Sequence, residues 1–142
     1  MKGLFSLAAT TFLLFGVGVG AAPLILETSS VPLSIENPEI KTIGKLEYRG
    51  GLKLQSENSK FGGLSGLAIS RDGSVLWSVT DNGNWVRAKP MLDKTGNLVG
   101  LIDVSMAPLL GPSGIAILSK KRRDAESLFR VNGGYVVTFE GV

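Results

Sequence analysis

The sequence predicts an all-β fold: antiparallel four-stranded meander blades of a β-propeller-like architecture, incomplete at about one and a half blades. Short apolar stretches alternate with turn residues from Gly63 onward. Within the stretch Val75 to Thr80, Val75, Trp77 and Val79 alternate with Leu76, Ser78 and Thr80, the period of two that a strand requires. No segment of the chain after residue 22 sustains helical periodicity.

The elements follow in order. Residues 3–20 carry no charge, Lys2 precedes them, and small residues close the run at Val19-Gly20-Ala21-Ala22-Pro23. A positive start, an apolar run and a small-residue exit make a secretory signal over residues 1–21, cleaved after Ala21. The alternative is a retained membrane anchor. Glycine and alanine crowd positions 16–22 and no basic cluster follows, which favours cleavage and no stable membrane insertion afterwards. The expected location is periplasmic or extracellular.

Residues 22–44 hold Pro23, Pro32 and Pro38 among scattered charges and read as an extended lead-in or an edge strand. Residues 45–142 form the main domain. Its first blade runs from Gly63 to Val104, in turn chemistry marked by Asp72-Gly73, Asp81-Asn82-Gly83 and Asp93 to Asn97. Four strands over this span match one propeller blade of ~40–45 residues. A second set is expected at Gly114 to Leu118, Asp124 to Phe129 and Tyr135 to Glu140. A closed propeller needs ~4–8 blades. The chain therefore reads as the N-terminal part of a longer protein, inactive by itself, with open strand edges that invite self-association.

Composition removes whole classes of chemistry. The 142 residues include neither cysteine nor histidine. That excludes a thiol nucleophile, a disulfide framework, a Ser-His-Asp triad and histidine-ligated zinc within the chain. Ser65 and Ser113 stand outside a nucleophile elbow and have no imidazole to activate them. A formal charge of +3 is too small to indicate a nucleic-acid partner.

Carboxylates remain. Asp124 and Glu126, two apart on a strand, project to one face. Glu140 depends on the hairpin loop. If Asn132-Gly133 alone forms the loop, Val131 pairs with Gly134 and Glu140 falls opposite Ala125 on the other face. If Asn132 to Gly134 forms it, Glu140 falls opposite Glu126. Like charges there repel unless a proton or a cation intervenes, and oxygen-only ligands favour calcium. The competing reading is a set of solvated strand-end acids. Asp81 has a turn role and also a place at a blade end, where it is a further candidate ligand. The basic run Lys120-Lys121-Arg122-Arg123 reads either as a solvated loop or as an attractor for phosphate. Trp77 and Trp85 are expected to pack rather than to bind ligand.

Three stretches carry a resemblance. Lys45 to Leu52, Phe61 to Gly73 and Thr80-Asp81-Asn82-Gly83-Asn84-Trp85, followed by Asp124-Ala125-Glu126 and Phe139-Glu140, resemble the "esterase-like activity of phytase" family of exported bacterial proteins. The resemblance implies a propeller-like fold, export and a phosphoric-ester hydrolase acting on a small phosphate ester. It also implies Asp124 and Glu126 as ligands. The rival function is a non-catalytic envelope binding or scaffold module whose acids fix blade geometry.

Overall fold

The computed structural model describes residues 20–119 and 123–140. Most of the expected leader and Lys120 to Arg122 lie outside the described residues. Every named element is a strand: β1 (Ala22–Pro23), β2 (Glu27–Val31), β3 (Thr42–Ile43), β4 (Leu46–Glu47), β5 (Gly51–Gln55), β6 (Leu64–Ile69), β7 (Leu76–Thr80), β8 (Asn84–Leu92), β9 (Leu98–Pro108), β10 (Ala125–Val131) and β11 (Gly134–Phe139). The chain is all-β, as its alternation and turns predict.

The first blade forms as expected. β6 to β9 make an antiparallel meander in the order β9-β8-β7-β6, and β1 adds to the outer edge of β9. The turns between them carry the acids that prefer such positions. The Asp72 carboxylate accepts hydrogen bonds from the Ser70 hydroxyl and from the Ser74 N–H and hydroxyl. Asp93 does the same for the Thr95 and Asn97 N–H groups. These contacts replace water on both turns and fix the register of the strands beside them.

Both faces of this sheet are covered in part. Trp77, Val79 and Trp85 share one face, because Val79 pairs with Trp85 and Trp77 with Arg87. That face packs on the β10–β11 hairpin through Ala125 and Leu128, with Leu109, Tyr135, Val137 and Phe139 around them. Val86 and Met106 point the other way and meet Leu24, Leu26 and Phe61. The lead-in is thus a lid over one end of the sheet. Its β2 pairs with β5 in full register, from Glu27↔Gln55 to Val31↔Gly51. Alternate residues of β7 therefore serve two separate cores, which is how a blade buries both its faces.

Gly66 brings the two blades together. A Cβ at this position would lie 2.1 Å from the Leu128 nitrogen and 2.5 Å from the Ser127 carbonyl carbon. Only a hydrogen side chain lets β10 cross β6 at this distance.

One expected strand is corrected. Gly114 to Leu118 contributes an isolated bridge, Ala116 to Leu110, and no named strand. Gly111-Pro112-Ser113-Gly114 makes a tight reversal, with the Gly111 N–H donating to the Ile115 carbonyl at 2.8 Å. The Ile117 N–H then bonds back to Leu109, so the segment spends its backbone groups on the end of β9. The second blade consequently shows two strands, and the described residues form an open assembly with no closed barrel.

Candidate metal centre

The site forms at the open end of the β10–β11 hairpin. Asn132-Gly133 is a two-residue loop, with Val131 opposite Gly134 and Gly133 at φ 85°. From there pairing runs regularly to Ser127 opposite Thr138, whose hydroxyls lie 2.7 Å apart. The next pair is Ala125 with Phe139. Glu126 is therefore an extra residue, a β-bulge, and the strand bends there.

The bulge decides where Glu140 goes. An unbroken two-residue hairpin would set Glu140 opposite Ala125. The extra residue shifts the register by one, and the Glu140 N–H donates instead to the Asp124 carbonyl at 2.9 Å. The shorter loop is the one adopted, yet the acids still converge. Asp124, Glu126 and Glu140 each offer a carboxylate oxygen, all within 4.8 Å of one another. Asp124 is half-buried, while Glu126 and Glu140 are exposed. Beneath them, Ala125 is fully buried against the first blade and anchors the start of the strand.

The spacing suits a hard cation. Calcium–oxygen distances of about 2.3–2.6 Å place two ligand oxygens of one ion no more than about 5 Å apart. Three carboxylates satisfy that limit and leave further coordination positions for carbonyls, water or substrate. The donor set holds neither nitrogen nor sulfur, which disfavours zinc and copper.

Asp81 does not join this group. It begins the β7–β8 turn, its N–H bonds to the Gly63 carbonyl at 2.9 Å, and its carboxylate lies over Gly63. A Cβ on Gly63 would fall within 2.2 Å of all three carboxyl atoms of Asp81. The turn explanation of Asp81 accounts for this placement. Asp72 and Asp93 are also turn residues. Hydrogen bonds hold both well below the usual carboxylate range, at about 2: from the Ser70 hydroxyl first for Asp72, and from the Asn97 N–H first for Asp93.

The tryptophans pack. Trp77 and Trp85 meet edge to face at 6.0 Å, Tyr135 lies 5.7 and 6.2 Å from them, and the Arg87 guanidinium sits 5.8 Å over Trp77. The rings fill the space between one another, so the trio is part of the interface between blades.

One element had no signal in spacing: the bulge at Glu126. It follows from two competing demands. Ala125 and Leu128 both turn inward, an odd separation that a regular strand cannot satisfy, and one extra residue reconciles them.

Comparison with known proteins identifies the family model described as "Phytase-like: Esterase-like activity of phytase", which matches residues 59–142. The match includes the first blade and all three clustered acids, whereas Lys45 to Leu52 precede it. No curated protein and no solved structure matches the chain.

Proposed function

Because the chain belongs to the esterase-like activity of phytase family, we propose that it is an exported domain in which Asp124, Glu126 and Glu140 hold calcium for the hydrolysis of a phosphate ester. The observation that carries this reading is the convergence of three carboxylates on the bulged end of one hairpin. A strand end that gathers three like charges is stable only if something positive is shared among them.

When bound, the cation supplies Lewis acidity and a water of lowered pKa. The protein's part is geometric. Asp124 is held from the main chain by Glu140 and from below by Ala125, so its carboxylate is the fixed member. Glu126 and Glu140 approach from the solvent side and leave the outer face open to a phosphate ester. With no histidine or cysteine in the chain, the attacking group in this reading is water rather than a side chain. Catalysis is assigned to the closed form of the fold, in which further blades complete the ligand set.

A second reading has its own support. The acids tie the residue before β10 to the residue after β11, so a cation there also clamps the hairpin. In that case the domain is a binding or scaffold module. Calcium titration by calorimetry, on the chain and on Asp124→Asn/Glu126→Gln, tests the site. Saturable binding lost in the variant supports it, and an unchanged isotherm removes these residues. Calcium-dependent release of phosphate from a monoester by a closed relative separates hydrolase from scaffold. Export predicts that secreted material starts at Ala22 by mass spectrometry, and retention of Met1 would overturn that.

A further inference from the structure

A cleft of about 400 Å³ lies beside the acids, bounded by Ser59, Lys60, Asn82, Asn84, Ile117 and Arg123. Its charge is one-sided: Lys60 and Arg123 line it and no carboxylate does. Arg123 is the residue just before Asp124, so the cleft and the acid cluster are neighbours along the chain. The Arg123 Nε is completely buried and has no hydrogen-bond partner among the described residues. Neither ion pair found among the described residues, Arg49 with Glu47 or Lys89 with Asp103, involves Lys60 or Arg123.

Local structure holds the guanidinium at this cleft. The Arg123 N–H bonds to the Ser119 carbonyl at 3.1 Å, and the next carbonyl, that of Asp124, receives Glu140. The stem lies against the β7–β8 turn at Gly83, where a Cβ would stand 2.6 Å from the Arg123 Cβ. Gly83 has φ 73°, so glycine serves both the turn and the close approach. The same turn carries Asn82 and Asn84. The Asn84 side chain is buried and donates to the Asn82 carbonyl at 3.3 Å.

We propose that this cleft binds a phosphate group, with Arg123 as the principal donor and Lys60 as the second cation. A buried guanidinium N–H without an acceptor is unfavourable, and an oxyanion is the ligand that satisfies it with charge assistance. Two cations with neighbouring amides suit a dianion better than a single carboxylate. Anion binding does not rest on calcium. It deepens the hydrolase reading by giving that site an adjacent anchor for a phosphorylated substrate.

The test is titration of the purified chain with inorganic phosphate in the presence of a chelator, followed by calorimetry and by the side-chain amide resonances of Asn82 and Asn84. Saturable binding is expected, weakened about tenfold or more in Arg123→Gln, as loss of a charge-assisted hydrogen bond implies. Lys60→Gln should weaken it less, and Arg130→Gln, outside the cleft, should leave it unchanged. Arg123→Lys keeps the charge and removes the Nε–H, and it should also bind more weakly. Tryptophan fluorescence verifies folding of each protein. Equal affinity in folded Arg123→Gln and Arg123→Lys, no saturable binding by the folded wild type, or acetate binding as tightly as phosphate would each overturn the proposal. Because calcium is absent throughout, failure of the cation reading cannot produce any of these results.

Discussion

The main-chain hydrogen bond from Glu140 N–H to the Asp124 carbonyl, 2.9 Å long, closes the β10–β11 hairpin one register step away from regular pairing. That step brings the Glu140 side chain to the same end as those of Asp124 and Glu126. In a chelator the three acids repel, and cross-strand like charges cost roughly 0.2–1 kcal/mol. Neutralising one member should therefore stabilise the cation-free protein. Glu126→Gln should raise the apparent melting midpoint in EDTA by a few degrees and abolish the further rise on adding calcium. A lower midpoint in EDTA would mean that Glu126 makes favourable contacts and that the cluster is not a strained, empty ligand set.

Gly66 predicts a larger effect. Its missing side chain is the space that the Leu128 and Ser127 backbone occupies, and backbone cannot rotate aside. Gly66→Ala should cost about 1–3 kcal/mol through overpacking. The loss should appear as a lower urea midpoint with the tryptophan signal changed, because Trp77 and Trp85 report on the same interface through Tyr135. A wild-type midpoint would show that the hairpin docks elsewhere on the sheet.

The first blade was legible because every local signal agreed. Asp-Gly and Asn-Gly turns fell between stretches of period two, and pairing of nearest neighbours needed no long-range information. Gly114 to Leu118 misled because its apolar residues resemble a strand, while Pro112 and the flanking glycines commit the backbone to a reversal. The acid cluster was half legible. Asp124 and Glu126 share a face by spacing, whereas the position of Glu140 depends on a bulge set by packing of Ala125 and Leu128 against another blade. The cleft was invisible because Lys60, Asn82 and Arg123 come from three separated segments and meet only through the fold.

Acid should act through the turns. Asp72 and Asp93 both titrate near about 2 in the folded chain, below the ordinary 3.8. A depressed folded value means stability that is present above the unfolded value and lost as pH falls through the folded one. Their contribution is therefore complete at neutral pH and disappears between about pH 4 and pH 2. Asp72→Asn/Asp93→Asn should be less stable than wild type at pH 7, with the two urea midpoints converging toward pH 2. Parallel curves over that interval would show that these hydrogen bonds do not persist in solution.

The last prediction concerns β6, which forms the free edge of the five-stranded sheet. Leu67 pairs with Ser78 and Ile69 with Leu76, on the face that carries Val86. Leu24, Leu26 and Phe61 cover that face over β8 and β9. Leu67 remains 63% exposed and Ile69 52%, beside an edge whose main-chain groups have no strand partner. Burial of such a strip yields about 25 cal/mol per Å², and an open edge supplies hydrogen bonds to any strand laid against it. The chain by itself should therefore form soluble oligomers whose size grows with concentration in sedimentation velocity. Leu67→Lys/Ile69→Lys places charge on the strip without touching the hairpin face and should shift the distribution to monomer. Concentration-independent monomer in the wild type, with a sharp melt, would mean that the edge is already blunted. The same size distribution in both proteins would move the contact to another edge, such as that of β11.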